Sequence, residues 1–413
     1  MRPSARGVAE NAAFFGVAGT LLAAGIYQGL QPITVHLNLL VVGVQVLVMN
    51  AAAAALSFTA VTTGAAAIYL YRLHRADRRT VETGPELAVI VPAYQEAATL
   101  PRAVSSLLAS TYRPLSVVIA CQRGDPDTAA VAEELADRHD AVQVVVNEDG
   151  PQSKPGNVNA AVARCDAPLL AVVDADSTVH PELFAAAVHR ITEQGADVAQ
   201  ARWLGATDGW VEAISHYEHL FTATLARQLY LLIPGMGRAL TNGTVMTRDA
   251  FDRVGGLTDV LADDYDFNLA CYREGLAMTE VLAYPVTREP AHSLRDWLGQ
   301  RKRWMLSYVQ VLARLLRQPF GGVRHLVSIG LTAGTVLGAV FALLLTSKLV
   351  LLAVIGAFRF SALPLAVLAG VAGGLHLRDH LAGHLPRPHP AVLAFPLAVP
   401  VLGLVTVKSV LEY

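Results

Sequence analysis

The sequence predicts a doubly wound α/β domain set between groups of membrane-spanning helices. Three observations carry this. The 413-residue chain is 53% hydrophobic and only 16% charged, with a mean hydropathy of +0.42; a soluble domain carries about 25% charged residues. The apolar residues gather at the two ends. The middle, from roughly Pro85 to Arg288, alternates short β-branched runs with stretches of helical period. A net charge of −2 and a pI near 6.7 leave no basic footprint for nucleic acid. Cys121, Cys165 and Cys271 are too scattered for a zinc site, a redox pair or a disulfide framework, and read as buried free thiols.

At the N-terminal end, Ala12 to Leu30 is charge-free and long enough to cross a hydrocarbon core of ~30 Å. Leu37 to Leu70 is a second, longer apolar stretch, expected to tilt or to run past the bilayer surface. Arg72, His74, Arg75, Arg78 and Arg79 follow it. Arg2 and Arg6 precede the first stretch, and the connection between the two holds no Lys or Arg. The positive-inside bias places the N-terminus and everything after Arg72 in the cytoplasm. No clear small-x-small site precedes a polar mature start, which argues against a cleaved signal peptide. The C-terminal end repeats the pattern with His325–Ser347, Leu349–Leu375 and Pro390–Val410. Arg359 and Pro364 fall inside the second of these, which reads as one kinked helix or two pieces. His376 to His389 reads as a polar cytoplasmic loop.

In the middle, Leu87–Val91, Leu115–Ala120, Val142–Val146 and Leu169–Val173 are apolar runs of strand length. Ala97–Ser110, Thr128–Arg138 and Asn157–Arg164 have helical period between them. This alternation predicts a sheet buried on both faces. Such sheets bind ligands beyond the carboxyl ends of their strands, so the residues there are the candidates.

The first strand ends in Val91-Pro92-Ala93-Tyr94-Gln95-Glu96. The second ends in Cys121-Gln122-Arg123-Gly124-Asp125-Pro126-Asp127-Thr128, with Asp127 or Thr128 able to cap the next helix. The third runs into a Gly/Pro-rich loop holding Lys154, which suits a phosphate at a helix N-terminus but lacks P-loop spacing. The fourth ends in Asp174-Ala175-Asp176. Carboxylates at i and i+2 leave a strand on one side and can hold a hard divalent cation with a diphosphate. Asp263-Asp264-Tyr265-Asp266 crowds three carboxylates, which raises a pKa and suits a base; an acidic helix start is the plainer reading. Gln300-Arg301-Lys302-Arg303-Trp304 lies in a basic amphipathic helix, with Trp297, Leu298, Trp304, Met305, Tyr308, Val309, Leu312, Leu315 and Leu316 at helical spacing, and reads as a membrane-surface element.

These motifs, in this order and between membrane spans, resemble the membrane-embedded family 2 glycosyltransferases, the group of cellulose, chitin and hyaluronan synthases. The resemblance covers Leu87 to Trp304. It implies a glycosyltransferase A-type, Rossmann-like fold and an inverting transfer from a nucleoside diphosphate sugar, with UDP as the expected nucleotide and Mg2+ or Mn2+ as cofactor. By position, Pro92, Tyr94 and Glu96 would lie near base and ribose, and Lys154 near the nucleotide. Asp174 and Asp176 would bind diphosphate and metal. Asp264 would be the general base, and Gln300, Arg303 and Trp304 would hold the diphosphate and the acceptor end. Thr241-Asn242-Gly243-Thr244 resembles the acceptor-side loop. Cys121 and Gln122 stand where many members carry paired acids, a feature similar to ceramide glucosyltransferases.

The expected partners are therefore a nucleotide sugar, the bilayer, and either a growing polysaccharide or a lipid as acceptor. The polysaccharide is placed first because Gln-x-x-Arg-Trp is linked to processive members; glycolipid synthesis by single addition is the alternative. The expected organisation is residues 1–84 as N-terminal spans, 85–291 as the catalytic domain, 292–322 as interface helices and 323–413 as C-terminal spans. The expected location is the plasma membrane, with the catalytic domain cytoplasmic.

Overall fold

The structure, a computed structural model, describes residues 5–39 and 42–412, and the side chains of 5–9, 37–46 and 339 lie outside that description. The expectation for Arg2 therefore falls outside the described residues, as does that for the Arg6 side chain.

The chain opens with helix α1 (Ala5–Leu30), followed by strands β1 (Pro32–Leu39) and β2 (Val42–Met49) and helix α2 (Asn50–His74). This corrects the second apolar stretch. Only its part from Asn50 onward is helical, because β1 and β2 pair antiparallel from Pro32 opposite Met49 to Leu39 opposite Val42. The reason is in the period: valines at every second position from 42 to 48 are β-branched and repeat by two, and so favour a pleated ribbon.

The middle of the chain builds one eight-stranded sheet. In chain order its strands are β3 (Thr83–Ala93), β4 (Arg113–Gln122), β5 (Val142–Asn147), β6 (Leu169–Val172), β7 (Ser177–Val179), β8 (Val198–Gly205), β9 (Thr244–Thr247) and β10 (Met278–Arg288). The spatial order is β5-β4-β3-β6-β9-β8-β10-β7. The four strands expected from sequence form the parallel half. Beyond β6 the sheet turns mixed: β9 is antiparallel to both β6 and β8, and β10 is parallel to β8.

Helices α3 (Leu100–Leu108), α4 (Pro126–Arg138), α5 (Lys154–Val162), α6 (Leu183–Thr192), α7 (Trp210–His219), α8 (Arg248–Val254) and α9 (Asp263–Glu274) cover the sheet. Alternate residues of β3 feed different cores. Leu87, Val89 and Val91 pack with α3 and α6, while Ala88 and Ile90 pack with α5 and α9. Burial on both faces is why the strands read as unbroken apolar runs, each fully buried Val or Leu contributing roughly 1.5–3 kcal/mol. Asp125, rather than Asp127 or Thr128, caps α4, accepting from Thr128 N at 3.3 Å with Pro126 in the first turn. Cys121 and Cys271 are buried and Cys165 is half-buried, all three as free thiols.

After α7 the helix widens into a π-turn (Leu220–Leu225) and then tightens into a 3-10 segment (Ala226–Leu232). Helix α10 (Leu294–Arg317) carries the Gln300–Trp304 motif, and α11 (Val323–Val354), α12 (Phe358–Leu381) and α13 (Ala398–Glu412) follow. Among the described residues, five helical segments are long and apolar enough to cross a membrane: Glu10–Leu30, Asn50–His74, Val323–Val354, Phe358–Leu381 and Phe395–Glu412. The stretch Leu349–Leu375 is in two pieces: its start belongs to α11, which ends at Val354, and the rest to α12, with Arg359 in the first turn and Pro364 inside the helix. His376 belongs to α12 and is buried, so the polar loop begins only at Ala382. Both halves of α13 touch α10: Ala398 and Leu402 pack on Trp297, and Glu412 pairs with Lys302.

Two of these long apolar helices are tied to the sheet by ion pairs. Arg202 of β8 meets Asp379 of α12 at 2.9 Å, and Arg72 of α2 meets Glu280 of β10 at 2.6 Å. Helix α1 packs on α11 through Gly25, where an added Cβ would fall 1.9 Å from Ser347 Oγ. Only glycine permits that approach.

Candidate active site

The residues to which the resemblance assigns a role line one cavity of ≈ 680 Å³. Pro92, Tyr94, Glu96, Lys154, Asp174, Asp176, Asp264, Gln300, Arg303 and Trp304 all face it. The turn after β3 forms one wall. Gln95 holds a φ of +57°, and its N–H donates to Asp125 Oδ2 at 2.5 Å, while Glu96 N donates to Thr128 Oγ1 at 3.1 Å. Asp125 is thus spent on pinning this turn. Gln122 and Gln152, not Asp125 or Asp127, line the cavity at this end.

The floor is the end of β6. Lys154 opens α5, whose N-cap is Ser153, and its Nζ lies 2.6 Å from Asp174 Oδ1 and 3.8 Å from Asp263 Oδ2. It also donates to Thr241 Oγ1 at 3.0 Å, and Thr241 donates to Asp263 at 2.9 Å. Burial opposes the lysine's charge, but Asp174 and Asp263 override it and hold Lys154 protonated. Asp176 accepts from Ser177 Oγ at 2.9 Å, and Asn242 links Ser177 to the backbone of Asp174. Thr241 and Asn242 therefore brace the acids from behind. Gly243 turns there with a φ of +68°, leaving no room for a Cβ beside Val286.

Burial, and then the neighbouring Asp174, push the Asp176 carboxyl up to about 6. A divalent cation offsets both effects. The donor set also suits one: two hard carboxylates, the rest of the coordination sphere being left to water and substrate phosphate, as Mg2+ prefers. The residues present thus fit the ion, although among the described residues no cluster of three or more metal-ligating side chains occurs.

The three acids at the start of α9 separate by function. Asp263 binds Thr241 and Lys154, and burial holds its carboxyl above the usual range. Asp266 turns away from the cavity, is buried, and pairs with Arg314 of α10. Asp264 is left facing the cavity, one of its oxygens accepting from Tyr265 N at 2.7 Å.

Helix α10 forms the opposite wall. An amphipathic basic helix is expected to keep its cations solvated, yet Arg301 is fully buried. Its Nε donates to Glu218 Oε2 at 2.6 Å and Nη2 to Ser215 at 3.1 Å, fixing α10 to α7. The same guanidinium lies 4.3 Å from the Trp304 ring centroid and holds that ring toward the cavity.

Sequence reasoning missed Trp203, His219, Arg288, Arg227 and Tyr308, which also line the cavity. Arg288, the last residue of β10, sits 5.6 Å from the Trp304 ring and 5.2 Å from Trp203, and Trp203 stacks on His219 at 5.5 Å. Trp203 and Arg288 lie at the ends of paired strands, Gly205 standing opposite Arg288. They escape a sequence reading because β8 and β10 are joined across segments far apart in the chain.

A mixed sheet with acids at the tip of β6 and a facing carboxylate on α9 defines a glycosyltransferase A-type fold. The family described as Glycosyltransferase like family 2 matches residues 85–307, more than half of the chain. The chain belongs to glycosyltransferase family 2. Among curated proteins it is 24% identical over 255 residues to the beta-monoglucosyldiacylglycerol synthase of Synechocystis sp., a match covering 59% of this chain and 52% of that protein. It is also 24% identical over 92 residues to the GalNAc(5)-diNAcBac-PP-undecaprenol beta-1,3-glucosyltransferase of Campylobacter jejuni, covering 22% of this chain and 30% of that one. The matches thus span about half or less of these relatives. Among solved structures, the mannosyltransferase PcManGT of Pyrobaculum calidifontis, in complex with GDP-Man and Mn2+, shares the fold with a TM-score of 0.50. It is 19% identical, and the match covers 85% of this chain and 98% of that one.

Proposed function

We propose that this glycosyltransferase moves a sugar from a nucleoside diphosphate donor, UDP being the first to test, onto a hydroxyl of a membrane lipid, with inversion. The observation that carries the reading is the convergence of Asp174, Asp176, Asp264 and Trp304 on one cavity beside the membrane helices. The names of the two curated relatives, a glucosyldiacylglycerol synthase and a glucosyltransferase of an undecaprenol-linked saccharide, support a lipid acceptor over the polysaccharide placed first from sequence.

In this reading Pro92, Tyr94 and Glu96 hold the base and ribose. Lys154 and Arg303 face the diphosphate, and Gln300 and Trp304 hold its far end and the acceptor. Asp264 takes the proton of the acceptor hydroxyl as that oxygen forms its bond to the anomeric carbon. The bond from that carbon to the diphosphate oxygen breaks, and its electron pair leaves with the diphosphate. One in-line attack with one base inverts the centre. Asp174 and Asp176 would hold Mg2+ or Mn2+, which supplies Lewis-acid stabilisation of the leaving diphosphate. The cluster after Arg72 supports a cytoplasmic catalytic side.

The experiment is purified protein in lipid nanodiscs with a panel of UDP- and GDP-sugars, Mg2+ or Mn2+, and product analysis by mass. One sugar added to a lipid is the expected result. A ladder of products would return the polysaccharide reading, which Gln300, Arg303 and Trp304 favour. Nucleotide release without any acceptor product would overturn both.

A further inference from the structure

Arg227 is a cation of the cavity that the reaction above leaves without a task. It follows the π-turn, whose extra residue re-aims the side chains after it. Its Nη2 donates to Tyr308 O–H at 3.2 Å, and its guanidinium lies 5.4 Å from the Tyr265 ring centroid. Among the described residues it makes no ion pair and no other hydrogen bond, so four of the five N–H groups of a guanidinium are unspent.

Its position is on the membrane side of the cavity. Tyr265 O–H shares a hydrogen bond with Thr332 at 3.2 Å, and Tyr230 O–H one with Thr335 at 3.0 Å, both threonines on the membrane helix α11. On the same 3-10 segment Leu229 and Leu232 are exposed, 40% and 72%. The donor side has its own cations: Lys154 is bound to Asp174, and Arg288 stands between Trp203 and Trp304. Asp264 is within electrostatic reach of both Arg227 and Tyr308.

A neutral acceptor would cover this guanidinium and leave it unpaired, which is costly. A phosphate matches its planar fork. We propose that the acceptor is a membrane lipid carrying a phosphate next to the reacting hydroxyl, the phosphate resting on Arg227 while Asp264 faces the hydroxyl. The bond changes are those given above, with the phosphate untouched. This inference rests on the lipid-acceptor reading and adds the charge of the headgroup.

The test uses the full chain in nanodiscs, with phosphatidylglycerol or diacylglycerol as acceptor at equal mole fraction, and glycerol phosphate as a soluble arm. Wild type is expected to favour phosphatidylglycerol by about 10- to 100-fold in kcat/KM, the size of one charge-assisted contact. In Arg227→Met that preference should collapse toward one through the KM for phosphatidylglycerol, and Arg227→Lys should recover part of it. Donor affinity, measured separately, checks folding and site; if Arg227→Met does not fold, the Lys variant reads the same ratio. Preference for diacylglycerol, or an Arg227 variant whose defect lies in donor affinity or acceptor-free donor hydrolysis, overturns the inference while leaving a lipid acceptor in place. Glycerol phosphate accepting as well as the lipid keeps the phosphate clasp but removes the lipid reading. A failure of every lipid to accept removes both.

Discussion

At the residue scale, the acids at the sheet tip and at the start of α9 differ in partner rather than in type. Asp263 and Asp174 share Lys154, Asp266 pairs with Arg314, and Asp264 alone of its cluster faces the cavity without such a partner among the described residues. Asp264→Asn is therefore expected to lower kcat by about 10²- to 10⁴-fold, the usual worth of a general base, with donor affinity retained; near-normal turnover in a radiolabelled transfer assay would remove it from that role. Asp176→Asn should instead weaken metal-dependent donor binding, read by calorimetry with and without EDTA. Unchanged affinity would mean that the cation lies elsewhere. Asp174 and Asp176 are legible in the sequence because they follow an apolar run of strand length, and strand ends are where such sheets place chemistry. Arg301 is not legible in that way. A cation within an amphipathic basic stretch looks solvated, and only the distant Glu218 explains its burial.

At the element scale, β3 to β6 and their helices can be read from sequence because both faces of a parallel sheet are apolar. Strands β8 to β10 cannot, since their pairing joins segments far apart in the chain. The hairpin of β1 and β2 is hidden for a different reason: uniform hydrophobicity outweighs a period of two that is present in the valines. Two elements depend on single contacts that can be tested. Glu218→Gln leaves Arg301 buried without its counter-charge, a loss of about 3–5 kcal/mol; we expect a lower midpoint of thermal unfolding in detergent and a displaced Trp304, seen as changed tryptophan fluorescence. Gly243→Ala combines a φ of +68° with a Cβ 2.6 Å from Val286 Cγ2. It should cost about 1–3 kcal/mol and loosen Thr241 and Asn242 behind the acids. An unchanged unfolding midpoint would show that this turn can relax.

At the scale of the whole molecule, the catalytic sheet and the long apolar helices share cores. Tyr217 packs with Leu368, Leu375 and Phe395, and Val311 and Leu315 of α10 lie against Val327 and Leu331 of α11. A fragment from Thr80 to Gln318, without α1, α2 and α11 to α13, would uncover these faces. It should therefore still require detergent, which size-exclusion chromatography would show; a monodisperse, detergent-free fragment would contradict the shared core. The Arg202–Asp379 and Arg72–Glu280 pairs add a directional constraint, since each fastens a strand to a different membrane helix. Two such rivets on one slab leave it little freedom to dip toward the lipids. If the acceptor is a lipid, as proposed above, it is the acceptor that must do the travelling, rising to a stationary mouth, so that turnover should track how readily a headgroup can be lifted out of its leaflet.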